Sequence, residues 1–211
     1  MPIDITGLVR PETSAVLSLE MQNGLAGVDA GDHPIAKAVA EQGVIARSAS
    51  VLAAARAAGV RVVHCTKLER ADGLGGTVNT PMWRRRARVG FTPLVPGSRE
   101  AAIISELGPE DIDIICARTR GLTVFGGTEL DPILHNLGVT TVVLIGVSLN
   151  IGVFAAAADA VSCGYEVIVV RDAVAGAPKA YAEDVLNLSI APMATLTESA
   201  DLVAAWGRPG S

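Results

Sequence analysis

The chain has 211 residues, of which half are apolar and only 3% aromatic, and its formal net charge is -5. A chain of this length can bury a core without help from disulfides or metal ions. Its basic residues are dispersed apart from one cluster, which argues against a nucleic-acid-binding protein because such proteins need a basic face.

No window reaches the roughly 18 consecutive apolar residues of a membrane span, so we expect no membrane partner. The mean hydropathy is nevertheless high, at +0.42, which predicts an apolar interface in a homo-oligomer. The N-terminal residues lack the basic segment and apolar core of a secretory signal. Three widely spaced cysteines form neither a disulfide framework nor a zinc motif, which predicts a cytoplasmic location with reduced thiols.

Six short apolar runs alternate with helical patterns along the chain. The predicted strands cover residues 15–19, 60–66, 112–117, 140–145, 165–170 and 194–197. The predicted helices cover residues 35–58 with a break near Gly43, 80–89, 98–107, 128–136, 151–164, 178–188 and 198–206. Strands that alternate with helices in this way form parallel sheets. The pattern therefore predicts a single α/β domain over residues 1–211, with a six-stranded parallel sheet and helices on both faces, a Rossmann-like three-layer sandwich.

Residues 67–98 are the least regular part of the chain and too long for a bare connection. We expect them to form a lid or an oligomer contact. The basic cluster Trp83–Arg88 (Trp-Arg-Arg-Arg-Ala-Arg) lies within this segment. Such a run is usually a solvated helix face; the alternative is that Trp83 or one of the arginines borders a ligand pocket.

A tight turn follows the fourth predicted strand, at residues 146–153 (Gly-Val-Ser-Leu-Asn-Ile-Gly-Val). The N–H groups that open the following helix favour negative charge. Gly152 costs helix stability, so its lack of a side chain indicates a functional need. Polar residues also follow the first and third strands, at Glu20 and Arg118. Because the carboxyl ends of parallel strands share one edge of the sheet, we expect the three positions to lie together.

Three segments resemble motifs of the isochorismatase-like cysteine hydrolases. Residues 18–23 (Ser-Leu-Glu-Met-Gln-Asn) resemble the Asp-x-Gln-Asn opening of that family. Residues 118–130 resemble its Lys…Ser-Ala-Phe-x-Gly-Thr-x-Leu segment, and residues 146–153 resemble its Gly-Val-x-Thr-Asn-x-Cys-Val turn. The similarity extends over about residues 14–190 in the same order. It implies a six-stranded parallel sheet, a dimer or tetramer, and a small-molecule ligand.

Members of that family such as nicotinamidases use an Asp–Lys–Cys triad, in which the cysteine attacks an amide carbonyl. The corresponding residues here are Glu20, Arg118 and Gly152, although a strict count back from Phe125 places Thr119 at the lysine position. Glycine offers no nucleophile. Glutamate keeps the carboxyl group, and arginine keeps a positive charge that binds carboxylates bidentately. The resemblance therefore implies a site that binds or polarises an anionic group rather than one that performs acyl transfer.

True isochorismatases resemble this chain in having glycine at the nucleophile position. They hydrolyse a vinyl ether after a carboxyl group protonates the substrate. By that analogy Glu20 is a general acid held in its protonated form near neutral pH, and Arg118 binds the substrate carboxylate. The Tyr-Ala-His of their turn is replaced here by residues 148–150 (Ser-Leu-Asn), so isochorismate itself is not implied as the substrate.

Further residues are predicted to bind the substrate: Gln22, Trp83, Phe125, Ser148, Leu149 and Asn150. The apolar side chains of Phe125 and Leu149 are expected to form a pocket wall. The polar side chains of Ser148 and Asn150 either hydrogen-bond the ligand or hold the turn together. The family often has a cis peptide inside this turn, and here it would fall between Val147 and Ser148.

Another thiol would be needed for nucleophilic catalysis, and Cys65 and Cys116 each lie near the end of a strand at the expected active edge. Small, buried, apolar cysteines are the commoner interpretation. Nicotinamidases bind zinc through an Asp-x-His pattern, and no such pattern follows the first or second strand here. We therefore interpret His33 as an ordinary loop histidine and His64 as a strand histidine, and expect no metal or cofactor.

Three functions are compatible with these residues. The first is cysteine-independent hydrolysis of a small anionic molecule, with Glu20 as general acid/base and Arg118 as anion anchor. The second is a catalytically inactive, small-molecule-binding or scaffold homologue of the family. The third is an amidohydrolase that uses Cys65 or Cys116 as its nucleophile.

Overall fold

A computed structural model describes residues 5–207 and contains a six-stranded sheet. The strands are β1 (Ser14–Leu19), β2 (Arg61–Lys67), β3 (Ile114–Arg118), β4 (Thr141–Val147), β5 (Glu166–Ala175) and β6 (Thr195–Thr197). They lie in the order β3-β2-β1-β4-β5-β6, and every neighbouring pair is parallel. The six-stranded parallel α/β sheet predicted from the sequence is confirmed.

Helices cover both faces of the sheet. They are α1 (Pro34–Glu41), α2 (Val44–Ala58), α3 (Pro81–Val89), α4 (Leu130–Asn136), α5 (Phe154–Ser162), α6 (Lys179–Asp184) and α7 (Ser199–Trp206). Apolar residues of α4, α5 and α6 pack against one face of the sheet, and those of α1, α2 and α7 pack against the other. The central strands are therefore buried on both sides, which explains their almost continuous apolar runs.

The predicted break between the first two helices is confirmed at Gly43, whose φ of +64° separates α1 from α2. The helix predicted over residues 98–107 is wrong, because the structure has only a short 3-10 turn at its end. The residues before that turn pair with the segment that follows β1. The Ile104 N–H donates to the Met21 carbonyl oxygen at 3.0 Å. Backbone groups used in this way cannot also close helical turns.

Residues 67–98, which we call the cover segment, lie over the carboxyl edge of the sheet. Helix α3 belongs to this segment, and its Trp83 lines a cavity together with Glu20 at the end of β1. Leu94 is fully buried, and its carbonyl oxygen accepts the Glu69 N–H at 2.8 Å. The cover segment is therefore packed against the domain and closes the edge at which β1, β3 and β4 end.

Candidate active site

Strands β1 and β4 are adjacent at the point where the strand order reverses, which is where parallel α/β sheets usually bind ligands. Gly146 of β4 stands in register with Leu19 of β1 and has a φ of +107°. A Cβ at residue 146 would lie 2.3 Å from the Leu19 carbonyl oxygen, too close for any side chain. Glycine therefore allows the close approach of the two strand ends that lead into the site.

Glu20 follows β1 in a left-handed backbone conformation with a φ of +52°, which costs a non-glycine residue roughly 1 kcal/mol. Its N–H donates to the Cys65 carbonyl oxygen of β2 at 2.8 Å, so the neighbouring strand holds this conformation. The Glu20 carboxylate forms an ion pair with Nη2 of Arg118. Backbone strain of this kind occurs preferentially at functional sites.

Arg118 ends β3, and its side chain is only 5% exposed. Nη1 donates to the Gly121 carbonyl oxygen at 2.7 Å, whereas the buried Nε has no hydrogen-bond partner among the residues that the structure describes. Thr119, the other candidate for the lysine position, is exposed and lines a different cavity. The structure therefore places Arg118 rather than Thr119 against Glu20 and leaves one of its donors unused.

The turn after β4 brings Gly152 to the same edge of the sheet. The Val147–Ser148 peptide bond is cis, as expected from the sequence motif, and Leu149–Val153 form a π-helical turn. A Cβ at residue 152 would lie 3.3 Å from the Val147 carbonyl oxygen. A small side chain would fit there after a slight adjustment, and its absence leaves this part of the site open.

These elements enclose a cavity of about 120 Å³, which we call the inner cavity. Five predicted site residues line it, namely Glu20, Trp83, Arg118, Ser148 and Gly152. The remaining lining is mostly apolar and consists of Leu25, His33, Ile35, Met82, Leu122, Val147 and Ile151. The inner cavity is smaller than the roughly 300 Å³ at which pockets for drug-sized ligands begin, so it suits a small molecule.

Four residues predicted to bind the substrate lie outside this lining. Phe125 and Leu149 are buried in the core between the sheet and its neighbouring helices. Asn150 donates from Nδ2 to the Ala177 carbonyl oxygen at 3.4 Å, which holds the turn in place. Gln22 is fully buried, and its side-chain amide bonds to backbone groups of Lys67 and Ala101. Spacing in a motif does not separate residues that shape a turn from residues that contact a ligand.

Gln22 extends the pairing of β2 beyond the end of β1. Its Oε1 accepts the Lys67 N–H at 2.7 Å, and its Nε2 donates to the Lys67 carbonyl oxygen at 3.0 Å. Nε2 also donates to the Ala101 carbonyl oxygen at 2.7 Å. The amide therefore acts as a substitute strand partner and fixes the backbone of Lys67.

Lys67 is a charged residue near the site that the sequence motifs did not reveal. It stands in register with Arg118 on the adjacent strand, so both side chains lie on the same face of the sheet. Its Nζ donates to Oε1 of Glu69 at 2.8 Å, and Arg86 binds that carboxylate through two bonds of 3.0 Å. Burial, opposed by the hydrogen bond to Glu69, lowers the pKa of Lys67 to about 8. A lysine at the end of the second strand, beside the expected active edge, was the available signal.

The same cations stack on aromatic rings of the cover segment. Nζ of Lys67 lies 3.6 Å from the centre of the Trp83 ring, and the guanidinium carbon of Arg86 lies 4.8 Å from it. Arg86 also lies 3.4 Å from the centre of the Phe91 ring. Cation–π contacts of desolvated groups are worth up to about 2 kcal/mol each. Trp83 is therefore held by charge as well as by packing.

A second cavity, of about 600 Å³, is lined mostly by residues of the cover segment and is called the outer cavity here. It is lined by residues 69–78, by Trp83 and Arg86 of α3, and by Phe91 and Arg120, among others. Two apolar residues of its lining, Leu74 and Val78, are more than half exposed. The outer cavity is therefore open and partly apolar.

His33 lines the inner cavity, although its sequence context indicated only an ordinary loop residue. Its Nδ1 accepts the Ile35 N–H at 3.3 Å and caps α1, so Nε2 carries the proton in this arrangement. Burial, and then the charge of Arg86, lower the pKa of His33. The ring is therefore neutral at pH 7. His64 lies on the opposite face of β2 from Lys67, and its Nε2 forms a hydrogen bond of 3.2 Å with Oδ2 of Asp113.

The cysteines do not form a reactive thiol site. Cys65 and Cys116 stand in register on β2 and β3, and both are buried in the core. Burial, together with the neighbouring Cys116, raises the pKa of Cys65 well above its usual value, and burial also raises the pKa of Cys116. Cys163 is exposed at the end of α5. A reactive cysteine needs a lowered pKa and access to the ligand, and neither buried thiol has both.

Within residues 5–207, no group of three or more His, Cys, Asp or Glu side chains is arranged to hold a metal ion. None of the helices in that range combines the length and apolar character of a membrane span. The ionisable side chains that line the inner cavity are those of Glu20, His33 and Arg118.

Comparison with known proteins gives concordant results. The model of the isochorismatase domain matches residues 14–201. Ureidoacrylate amidohydrolase RutB of Agrobacterium fabrum is 30% identical over 179 residues, which cover 78% of this chain and 77% of that protein. Maleamate amidohydrolase of Pseudomonas putida is 34% identical over 139 residues, covering 63% and 61%. The crystal structure of an isochorismatase family protein from Desulfovibrio vulgaris superimposes with a TM-score of 0.78 and 28% identity, covering 93% of this chain and 99% of that one. The chain belongs to the isochorismatase family.

Proposed function

We propose that the protein is a hydrolase of a small anionic molecule and that it works without a cysteine nucleophile. The observation that carries the proposal is the ion pair of Glu20 and Arg118, which lines the same cavity as Gly152. Because glycine cannot form a covalent intermediate, water would attack the substrate directly.

Glu20 is the general acid/base of the proposed reaction. The proposed proton acceptor is the Glu20 carboxylate, which pairs with Arg118 in the structure. Glu20 takes a proton from water as the water oxygen bonds to the substrate carbon, and returns it to the leaving group as the old bond breaks. Such assistance contributes roughly 100- to 10,000-fold in rate.

Arg118 is the proposed anion anchor. Its buried Nε has no hydrogen-bond partner among the described residues, whereas the other guanidinium nitrogens bond to Glu20 and to backbone carbonyls. Nε is therefore the donor we assign to the ligand. The surrounding charges support an anion as well. Three cations, Lys67, Arg86 and Arg118, are paired with the two carboxylates of Glu20 and Glu69. A buried excess of positive charge is costly, and an anionic ligand would balance it.

The relatives support the same class of substrate. Ureidoacrylate and maleamate, which give two of the relatives their names, are small carboxylates with a hydrolysable C–N bond. A small carboxylate also suits an inner cavity of about 120 Å³. We therefore place the scissile carbonyl near Glu20 and Gly152, and the carboxylate of the substrate on Arg118.

The proposal is tested with a panel of small carboxylic acids that carry amide, ureido or enol-ether groups, with products followed by mass spectrometry. We expect turnover that is kept in Cys65→Ala and Cys116→Ala and falls roughly 100-fold or more in Glu20→Gln. Thr119→Ala, next to Arg118 but outside the inner cavity, is the matched control and should keep full activity.

Two results would contradict the proposed cysteine-independent hydrolase. Loss of turnover in either cysteine variant alone would identify thiol chemistry. Carboxylates that raise the melting temperature without yielding product would identify a binding protein instead, which is the other function compatible with a vacant nucleophile position.

A further inference from the structure

Trp83 separates the two cavities. It lines both the inner and the outer cavity, and among the residues that the structure describes no other member of the two linings is shared. The ring therefore lies between a cavity of about 120 Å³ and one of about 600 Å³.

The ring is held from the sheet side by Lys67, whose Nζ lies 3.6 Å from its centre. Arg86, one helical turn along α3, also lies against it. Both cations bind the Glu69 carboxylate, so one acidic residue positions the two groups that contact the ring. The backbone of Lys67 is in turn fixed by the buried amide of Gln22.

No hydrogen bond among the described residues holds the indole ring of Trp83. The backbone N–H of Trp83 donates to Oγ1 of Thr80 at 3.2 Å at the start of α3. The indole Nε1 of Trp83, in contrast, is buried without a hydrogen-bond partner among the described residues. A buried indole N–H normally finds a partner. The cation–π contacts are therefore the polar interactions that hold the ring, and Nε1 remains a donor without a partner among the described residues.

We propose that Lys67 is a positioning residue that holds Trp83 as a partition between the two cavities, and that this partition restricts the site to short acids. The restriction to acids rests on the proposed function, whereas the holding of Trp83 does not. With the ring in this position, a substrate whose aryl group or long chain points toward the outer cavity would meet it. When the ring is displaced, such a tail would extend into the outer cavity along the exposed Leu74 and Val78.

The chemistry of Lys67 supports this role. Its neutral form binds an aromatic face weakly, because the contact depends on the positive charge. Glu69, Arg86 and Glu20 are the charged groups that act on Lys67. With a pKa of about 8, Lys67 loses its proton as the pH rises through 8, and the hold on Trp83 weakens over the same interval. His33, whose pKa lies below its usual value, changes charge at lower pH.

The first test needs no substrate. The chain has two tryptophans, so the emission of Trp83 is obtained by subtracting the spectrum of Trp83→Phe from that of the wild type. We expect the Trp83 emission to change with a midpoint near pH 8, to lose this transition in Lys67→Met, and to keep a constant low-pH spectrum in Lys67→Arg. The same transition in Lys67→Met as in the wild type would overturn the proposal.

The second test measures size selectivity through binding. Dissociation constants are determined for a series of carboxylic acids of increasing length and with aryl tails. We expect Lys67→Met and Trp83→Ala to bind the longer acids at least tenfold more tightly than the wild type does, with short acids little changed. Lys179→Met, which removes an exposed lysine outside both cavities, is the matched control. Equal discrimination between short and long acids in Lys67→Met and the wild type would contradict the partition. Failure of every acid to bind would contradict the proposed function, and the fluorescence result would then decide the role of Lys67.

Discussion

The motif comparison predicts that Gly152 takes the position of the family's cysteine nucleophile, and a Cβ there requires its neighbour to shift by a few tenths of an ångström. Its φ is not in the left-handed region, and its Cβ would approach only the Val147 carbonyl oxygen, at 3.3 Å. Replacing a helical glycine also recovers up to about 1 kcal/mol. We expect Gly152→Cys to fold with a free energy of unfolding within about 1 kcal/mol of the wild type.

The new thiol should be reactive, since it would line the inner cavity near the positive charge of Arg118. Intact-protein mass spectrometry after brief treatment with iodoacetamide measures this, in a Cys163→Ala background that removes the exposed thiol. We expect labelling roughly tenfold or more faster than in Cys163→Ala alone, because Cys65 and Cys116 are buried. Equal labelling rates would show that residue 152 is not accessible from the cavity.

Lys67 should reduce stability at neutral pH. Its pKa falls from 10.5 to about 8 on folding, so the folded state binds this proton less tightly than the unfolded state does. A shift of this size corresponds to about 3 kcal/mol of lost stability at pH 7. We expect Lys67→Met to unfold at a higher temperature than the wild type at pH 7, with a gain of roughly 1–3 kcal/mol, since Glu69 keeps Arg86 as its partner.

The stability advantage of Lys67→Met over the wild type should shrink as the pH rises. Between pH 8 and 10.5 the folded wild type has lost the proton that its unfolded state still holds, so wild-type stability rises relative to the variant. Denaturant melts at pH 7 and pH 10 measure the difference. A variant that is less stable than the wild type at pH 7 would show that the ion pair with Glu69 outweighs the cost of burial.

At the level of elements, the strands were predictable because a parallel sheet buried on both faces demands apolar runs. The irregular structure of residues 98–107 was not predictable, because their backbone bonds to residues 21–24, some 80 residues earlier. Local patterns contain no information on such pairing. The β5 strand likewise continues to Ala175, beyond the predicted end at residue 170, because β4 pairs with it there after a register shift.

Some residues of the candidate site were likewise predictable from the sequence, and others were not. Glu20, Arg118 and Gly152 lie at or just after the ends of three strands, so the topology alone brings them to one edge. Lys67 and His33 were missed because no motif marks them; their roles depend on where the cover segment and α1 lie. Phe125 fits the motif but belongs to the core, since motif residues include those that fix the loops.

Gln22 provides a test of how the elements around the site are held together. Gln22→Leu keeps the volume but leaves the N–H and carbonyl of Lys67 and the carbonyl of Ala101 without their partner. Each unsatisfied buried group costs about 1–3 kcal/mol, so we expect a loss of roughly 3–5 kcal/mol in the free energy of unfolding. Asn23→Ala, which removes one exposed bond to the Arg99 carbonyl, should change stability by less than about 0.5 kcal/mol. A similar effect of both substitutions in urea melts would contradict the pairing role of Gln22.

For the whole molecule, the sheet leaves an apolar edge uncovered. Strand β3 is at one end of the sheet, Ile115 in it is 62% exposed, and the nearby Ile112 is 73% exposed. Unpaired strand edges and exposed apolar residues favour association. The opposite edge strand, β6, has only three residues and offers less to a partner. We therefore expect a homo-oligomer, a dimer or tetramer, whose interface includes β3.

Light scattering coupled to gel filtration measures this directly, and we expect the wild type to elute at a multiple of the 21.6 kDa chain mass. Ile115→Lys places a charge at the centre of the expected interface and should shift the population to monomer. Val28→Lys, at a residue 79% exposed in a separate turn, should leave the mass unchanged. A monomeric wild type would contradict the oligomer, and an unchanged mass in Ile115→Lys would move the interface away from β3. β3 ends at Arg118, the proposed anion anchor. An interface that stabilises β3 would also position Arg118, so dissociation in Ile115→Lys should weaken the binding of carboxylates as well.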